Sequence, residues 1–322
     1  MGDRGVTLAE RVFLQIAVGQ PPTLIGIDGS SALSGPGQMR ARGMARQSGD
    51  NVRQWAARSL ARALKAAALV MAALTTIISA ATAETACKAP SDLAHLDFPL
   101  TAARRIMAAE HDIRIVALGS SSTFGTGASS PKMCYPAQLE AELNRRFYLD
   151  RRFEVINRGV GGELASNMLA RIDTEVLALK PHLVIWQTGV NDAINGMPLE
   201  DFRMALAQGI DAIVASGADV ILLDAQYYPR SARVPGFKNY VQTMRQVAHD
   251  KHVPLLSRFS FMKHLVDSAQ FKPAELLAPD QFHPNDLSYR CLGNLLADAI
   301  GSGLDEAAGR GAVQRIKSAH AK

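Results

Sequence analysis

Four short polar blocks contain the residue types that ester hydrolysis requires. They cover residues 119–123, 157–163, 189–192 and 280–283. A serine hydroxyl is a poor nucleophile unless an adjacent base takes its proton, and histidine is the side chain best suited to this near neutral pH. The first block supplies serines and the last supplies a histidine with an aspartate three residues before it. The blocks therefore indicate acyl-transfer chemistry on a serine.

The residues in these blocks divide into a proton-transfer group and a group of hydrogen-bond donors. Asp280 can bind the far ring nitrogen of His283, which fixes the tautomer of the imidazole and stabilises its protonated form. Negative charge on a reacting carbonyl oxygen needs donors fixed in advance. The candidates are the backbone N–H groups of Ser121 and Gly162 and the side-chain amide of Asn191. Gly162 has no Cβ, so its backbone can approach a substrate closely.

Each block on its own has a simpler structural explanation. Serine and threonine often cap helices, an Asn-Asp pair is common in turns, and a single histidine is usually structural. The presence of all four blocks favours catalysis over these explanations. The consecutive residues Ser120, Ser121 and Ser122 leave the identity of the nucleophile open at this point.

Short aliphatic runs alternate with amphipathic stretches from about residue 113 onwards. Runs of five or six residues predict strands buried on both faces, at residues 113–118, 153–157, 182–187, 219–224 and 253–257. Helices are predicted at residues 135–147, 164–179, 199–216, 237–249 and 287–300. The alternation predicts an α/β fold with three αβα layers and a five-stranded parallel, flavodoxin-like sheet in the order 2-1-3-4-5. Such a sheet brings the four blocks together at the carboxyl ends of its strands.

The blocks resemble those of the SGNH (GDSL-like) hydrolases, a family of serine esterases and acyl hydrolases with this three-layer architecture. The resemblance covers roughly residues 110–300. The family's first motif, G-D-S-x-T, matches residues 119–123, with Ser120 in place of the usual aspartate. Its G-x-N-D motif matches residues 189–192, and its D-x-x-H motif matches residues 280–283.

This resemblance implies a role for each candidate. It selects Ser121 as the nucleophile, His283 as its base and Asp280 as the partner of the histidine. The second family motif contributes a glycine that falls on Gly162, and the oxyanion hole then consists of Ser121, Gly162 and Asn191. The reaction implied requires no metal and no organic cofactor. A serine at position 120 can still donate and accept hydrogen bonds, so we expect activity to survive that departure.

We therefore predict an exported serine hydrolase that cleaves carboxylic esters. Its substrates would be acyl or acetyl esters on an envelope or extracellular polysaccharide, or else a simple lipid ester. One alternative is an SGNH-shaped domain that binds carbohydrate without turnover. Another is a flavodoxin-like domain that holds a phosphate-bearing ligand on the backbone of its Ser/Thr/Gly loop. Phosphate binding gives no reason for Asn191, Asp280 and His283, so hydrolysis is the favoured function.

The charge of the chain is concentrated in a leader. The 322 residues carry a net charge of +5. Residues 1–83 hold nine basic and four acidic side chains, and the rest of the chain is neutral. A neutral body gives no electrostatic footprint for nucleic acid. The composition, 48% hydrophobic and 20% charged, is that of a globular protein and excludes a disordered or coiled-coil chain.

Residues 44–83 have the layout of a secretory signal peptide. A basic stretch ending at Lys65 is followed by uncharged apolar residues 66–80 and an A-x-A pattern at residues 81–83. The apolar stretch is shorter than the roughly 20 residues that span a bilayer. A cleaved signal, with a periplasmic or secreted product, is therefore favoured over an uncleaved membrane anchor.

The remaining segments complete the predicted organisation. Residues 1–43 fit no signal peptide, and we predict that they are a non-native or disordered leader, with translation starting at Met44. Residues 84–110 are predicted as an N-terminal arm without regular structure. The hydrolase domain is predicted over residues 111–302 and a C-terminal tail over residues 303–322.

Three cysteines follow the predicted signal, and export permits a disulfide. We favour the pair Cys87–Cys291, because the ends of a domain often approach each other. Cys134 would then be a free thiol, although its pairing with either of the others is an alternative. The chain has no C-x-x-C motif and no Cys/His cluster. The only predicted partner is the ester substrate, and the oligomeric state is left open.

Overall fold

The computed structural model of the chain describes Lys65 and residues 87–109, 112–147 and 152–304. The elements named below all lie within the unit Ile78–Lys322. The predictions for the leader and the signal peptide fall outside the described residues, apart from Lys65, as do those for residues 305–322. Within the described ranges, no helix combines the length and apolarity that a membrane span requires.

A five-stranded parallel sheet forms the centre of the fold. Its strands are Ile113–Gly119 (β1), Phe153–Gly159 (β2), Leu183–Gln187 (β3), Asp219–Leu223 (β4) and Leu255–Leu256 (β5). Their spatial order is β2-β1-β3-β4-β5, and every pairing is parallel. The predicted fold class and strand order are confirmed.

The central strands are buried on both faces, as their aliphatic composition requires. All of β3 is buried, including the indole of Trp186. In β1, Ile115 is in register with Val155 of β2 and Leu183 of β3. Strand β2 lies at the edge of the sheet and is only partly buried after Phe153. The carboxyl ends of β1, β2 and β3 therefore lie side by side, where the first three polar blocks begin.

Helices cover the sheet in two groups. They are Thr101–Ala108 (α1), Ser121–Phe124 (α2), Tyr135–Arg146 (α3), Ala165–Ala170 (α4), Val190–Ile194 (α5), Leu199–Ala215 (α6), Phe237–Asp250 (α7), Arg258–Asp267 (α8), Pro273–Leu276 (α9) and Asp286–Leu304 (α10). Helix α10 packs against α3 and α1, and α6 packs against α4 and α7. Leu139 and Leu143 of α3, four residues apart, are both buried.

Two predicted elements differ from the structure for identifiable reasons. The helix predicted over residues 164–179 is divided into α4, a π-helical turn at Ile172–Val176 and a 3-10 turn at Leu177–Leu179. The β-branched residues alternating through this stretch lose side-chain freedom in a regular helix. Strand β5 is shorter than predicted because Pro254 has no N–H to donate to a neighbouring strand; its carbonyl accepts from the Leu222 N–H at 2.9 Å.

The segment before β1 is more regular than we predicted. It contains α1, and both Leu100 and Ala103 are fully or almost fully buried in the core. The Asp219 carboxylate accepts the Ala103 N–H at 2.9 Å, which fixes α1 to the start of β4. Helix α8 was not predicted, and α10 extends past the predicted end of the domain to Leu304.

A disulfide joins this N-terminal segment to the last helix. Cys87 and Cys291 are bonded, with 5.5 Å between their Cα atoms, and Cys134 is a buried free thiol. The favoured pairing and the free cysteine are thus confirmed. The bond closes a segment of 204 residues, so it restricts the unfolded chain strongly.

Reduction of the disulfide is expected to destabilise the protein by about 2–4 kcal/mol. For a domain of this size that corresponds to a fall in Tm of roughly 4–16 °C. Thermal unfolding with and without a reductant measures the effect. The Tm of Cys134→Ser should still fall when a reductant is added, whereas the Tm of Cys87→Ser should be the same with and without it. An equal Tm in both conditions for the unmodified protein would contradict the expectation.

Candidate active site

A sharp turn from strand to helix presents Ser121 at the carboxyl end of β1. Ser120 has an extended backbone, and its carbonyl accepts the N–H groups of Thr123 and Phe124, so that α2 begins at Ser121. The turn needs a glycine at position 119, because a Cβ there would overlap the Thr123 hydroxyl and approach the Gln187 carbonyl to 2.9 Å. The Ser121 residue is 9% exposed.

The histidine of the last block lies against this serine. His283 Nε2 is 3.0 Å from Ser121 Oγ. On the other side of the ring, Nδ1 is 2.6 Å from Asp280 Oδ2. The side chain of His283 is 16% exposed and that of Asp280 is 46% exposed. The structure therefore brings the three residues predicted for proton transfer into one continuous line of contacts.

The Asp280 carboxylate is held by its own loop. Its Oδ1 accepts the backbone N–H groups of Phe282 and His283, both at 2.9 Å. A left-handed backbone at Gln281, with φ of 57°, closes this tight turn. Burial alone would raise the pKa of the Asp280 carboxyl, but the His283 ring and these two N–H groups outweigh burial and lower it. The carboxylate is thus charged and correctly oriented to bind the imidazole.

The two other oxyanion candidates lie in neighbouring loops that touch each other. Gly162 follows β2 in the left-handed region, with φ of +81°. The Asn191 amide, in the first turn of α5, donates to the Glu163 carbonyl at 2.9 Å. The Val160 N–H donates to the Gly119 carbonyl at 2.9 Å, so the Gly162 loop also joins the end of β1.

A buried carboxylate fixes the loop that carries Asn191. Asp192 accepts from the Gly189 N–H at 3.0 Å, the Thr188 hydroxyl at 3.1 Å and the Ala165 N–H at 2.8 Å. Burial raises the pKa of its carboxyl, against the opposing effect of these donors. Asp192 thereby shapes the start of α5 and links it to the start of α4.

Ser120, which stands where the resembling family has aspartate, is part of a buried polar cluster. Gln187 Oε1 accepts from the Ser120 N–H at 3.2 Å and from the Ser120 hydroxyl at 3.3 Å. It also accepts from the Thr123 hydroxyl at 3.0 Å. The Ser120 hydroxyl is therefore bound to Gln187 and supports the turn, whereas the Ser121 hydroxyl contacts His283.

Ser122 points away from His283 and into the protein. It is fully buried, and its hydroxyl lies 3.4 Å from Gln226 Oε1. The same oxygen accepts from the buried Arg258 guanidinium at 2.9 Å, whose Nε donates to the Asp224 carbonyl oxygen at 3.1 Å. Burial raises the pKa of the Asp224 carboxyl to about 6. Of the three consecutive serines, Ser121 is the only one whose hydroxyl contacts a histidine among the residues that the structure describes.

Aromatic rings and a terminal helix hold the histidine loop. The Phe282 ring packs edge-on against Tyr228 at 4.9 Å and against His283 at 4.7 Å, centroid to centroid. Tyr289 of α10 donates its hydroxyl hydrogen to the Thr126 carbonyl at 2.6 Å. These contacts position the histidine loop and the segment that follows Ser121. Among the described residues, no three His, Cys, Asp or Glu side chains are grouped to hold a metal ion.

Sequence reasoning missed an ion pair beside this site. Arg171 and Glu163 form a largely buried ion pair, with 2.6 Å between the closest atoms. Glu163 belongs to the second polar block, but Arg171 lies in the stretch predicted as an ordinary helix. The one available signal was a charged residue among apolar neighbours, which is too common to be diagnostic.

The chain is similar to known proteins both in sequence and in structure. The model of the non-GDSL lipase-like family matches residues 86–306. An arylesterase of Vibrio mimicus is 28% identical over 146 residues, which are 45% of this chain and 69% of that enzyme. The esterase TesA of Pseudomonas aeruginosa is 32% identical over 77 residues, or 24% of this chain and 38% of that protein.

Solved structures share the fold. A two-domain esterase active on acetylated mannans superimposes with a TM-score of 0.57 at 22% identity, and the match covers 66% of this chain but only 56% of that esterase. LAE5, an alpha/beta hydrolase enzyme from the metagenome of Lake Arreo, Spain, gives a TM-score of 0.51 at 26% identity. That match covers 61% of this chain and 98% of LAE5.

Proposed function

The chain belongs to the non-GDSL lipase-like family of SGNH-type esterases, and on this premise we propose that it hydrolyses carboxylic esters through Ser121, His283 and Asp280. The observation that supports this most strongly is the continuous line of contacts from Asp280 through the imidazole to the Ser121 hydroxyl, at 2.6 and 3.0 Å. This is the order of groups that activates a serine nucleophile.

In the proposed first step, Ser121 Oγ attacks the acyl carbonyl while His283 Nε2 takes the hydroxyl proton. The Asp280 carboxylate stabilises the imidazolium that forms. The carbonyl oxygen gains the negative charge and is held by the N–H groups of Ser121 and Gly162 and the amide of Asn191. His283 then protonates the alkoxide leaving group, and the alcohol departs to leave an acyl group on Ser121.

The second step regenerates the serine. His283 removes a proton from a water molecule, which attacks the acyl carbonyl and forms a second tetrahedral intermediate. Its collapse breaks the bond to Ser121 Oγ, and the imidazolium returns the proton to that oxygen. The net reaction adds one water to the ester and releases an acid and an alcohol.

For the substrate we propose short acyl esters, and first of all acetyl groups carried by an extracellular polysaccharide. The two-domain esterase that shares the fold acts on acetylated mannans, and the relative from Vibrio mimicus is an arylesterase. A panel of p-nitrophenyl acetate, a longer p-nitrophenyl ester, acetylated mannan and acetylated xylan separates these classes. Turnover of the longer ester in strong preference to the acetates would overturn the acetyl assignment.

The proposed base predicts a rising pH profile. We expect kcat/KM for p-nitrophenyl acetate to increase between about pH 5 and 8, the range in which histidines lose their protons, because only neutral imidazole accepts from serine. The pKa of Asp280 is lowered, so that carboxyl is already ionised throughout this range. A flat profile would contradict a histidine base.

Absence of covalent labelling by a fluorophosphonate would favour the alternative function, a domain that binds carbohydrate without turnover.

We further propose that the protein works outside the cytoplasm. The signal-like segment at residues 44–83 and the disulfide between Cys87 and Cys291 support this, because disulfides persist in oxidising compartments. N-terminal sequencing of the mature protein from the native host tests it. A mature N-terminus within residues 1–43 would overturn it.

A further inference from the structure

Arg171 and Glu163 form a multiple side-chain contact near the site. Arg171 Nε lies 3.0 Å from each Glu163 carboxylate oxygen, and its terminal nitrogen NH2 lies 2.6 Å from Oε2. The side chains are only 10% and 15% exposed. We call this ion pair the Arg171–Glu163 clamp. A charge pair this well shielded from solvent stays formed only with such close, multiple hydrogen bonds.

One end of the clamp holds the strands that carry the nucleophile. Besides Glu163, the Arg171 NH2 nitrogen donates to the Arg158 carbonyl of β2 at 2.9 Å. It also lies 3.4 Å from the Gly119 carbonyl at the end of β1, two residues before Ser121. The guanidinium therefore ties the ends of two adjacent strands to the loop that follows β2.

The other end of the clamp holds the oxyanion donors. The Glu163 carbonyl accepts the Asn191 amide at 2.9 Å, and Gly162 is the preceding residue. Nothing lies within 4 Å of where a Cβ would be on Gly161 or Gly162. Because these two glycines have no side chains to pack and few neighbours, the position of the Gly162 N–H depends on what holds Glu163.

We propose that Arg171 and Glu163 are positioning residues that keep the Gly162 N–H and the Asn191 amide aimed at the oxyanion. This inference rests on the proposed esterase function. Donors stabilise a transition state only when they are fixed before charge develops. Loss of the clamp should therefore lower the rate of the chemical step more than it weakens substrate binding.

The variants Glu163→Gln and Arg171→Met test the proposal on p-nitrophenyl acetate. A displacement of about 1 Å in a reacting geometry costs up to roughly 100-fold in rate. We expect kcat to fall by about 10- to 100-fold in both, with KM changed less than about threefold. Arg171→Lys keeps the charge but cannot form the paired contacts, so its kcat should lie between those of Arg171→Met and the unmodified protein.

Glu175 provides a matched control. Its carboxylate also pairs with Arg171, through the other terminal nitrogen at 3.0 Å, but it is 47% exposed. Within the described part of the chain, its side chain makes no hydrogen bond to the Gly162 loop or to Asn191. Glu175→Gln removes the same charge from the same arginine and should leave kcat within about twofold. A loss in Glu175→Gln equal to that in Glu163→Gln would overturn the clamp, because the general charge balance would then be responsible.

Three further readouts separate positioning from folding. The active sites are first counted by complete labelling with a fluorophosphonate. Each rate is then divided by that count, so that unfolded protein does not contribute. The pH dependence of kcat/KM should keep its inflection in the clamp variants, because neither residue contacts His283. If Tm falls but kcat per labelled site stays within threefold, the clamp is merely structural and the proposal is overturned. An unmodified protein that neither hydrolyses the ester nor is labelled would overturn the esterase function itself.

Discussion

Ser121→Ala is expected to abolish ester hydrolysis and fluorophosphonate labelling, with kcat reduced by about 10⁴-fold or more. In the proposed mechanism the hydroxyl oxygen bonds to the acyl carbon, and within the described residues no neighbouring serine contacts His283. The residue lies at a turn and is 9% exposed, so loss of one oxygen should leave Tm within a few degrees. Steady-state kinetics on p-nitrophenyl acetate and thermal unfolding measure both quantities.

Ser122→Ala is the matched control for this result. The Ser122 hydroxyl is buried against Gln226, and its removal should change kcat less than about tenfold. His283→Ala should lower kcat about as much as Ser121→Ala, and the double variant should be scarcely worse than either, because the two groups act as one unit. An active Ser121→Ala variant alongside an inactive Ser122→Ala variant would show that the nucleophile has been misassigned.

The parts of this fold that could be predicted are those in which one local pattern has one structural consequence. Aliphatic runs such as residues 182–187 allow little besides a buried strand, and alternation with helices then requires a parallel sheet. The convergence of Ser121 with His283, 162 residues apart, also follows from this, since both sit where strands end or the last helix begins. The disulfide pairing followed from the proximity of the two ends of the domain.

The parts that could not be predicted depend on contacts between side chains and distant backbone. Arg171 donates to the Arg158 carbonyl and lies beside that of Gly119, but carbonyl groups are present at every residue and leave no mark in the sequence. Helix α1 was missed because it is fixed by tertiary contacts, among them its packing against α10 and the hydrogen bond from the Ala103 N–H to the distant Asp219 carboxylate. Local pattern thus locates the candidate reacting groups, whereas the framework that holds them in place depends on tertiary contacts.

Asn191→Ala is expected to lower kcat by about 10²–10³-fold, or about 2.7–4 kcal/mol of transition-state stabilisation, the usual effect of losing one oxyanion donor. One hydrogen of the Asn191 amide is occupied by the Glu163 carbonyl. Since a side-chain amide carries two hydrogens, the other is free for an oxyanion. KM should change little, because the negative charge exists only after attack on the carbonyl.

Asn195 lies about one helical turn after Asn191, at the end of α5, and is the control for this substitution. Its side-chain amide is exposed and donates to the Asn191 carbonyl at 2.8 Å, at the end of α5. Asn195→Ala should therefore keep kcat within about threefold. Asn191→Asp should be at least as damaging as Asn191→Ala, because a carboxylate donates no hydrogen bond and repels both the oxyanion and the Glu163 carbonyl. If Asn191→Ala retained more than a third of the original kcat, the oxyanion would have to be held by the backbone N–H groups of Ser121 and Gly162 alone.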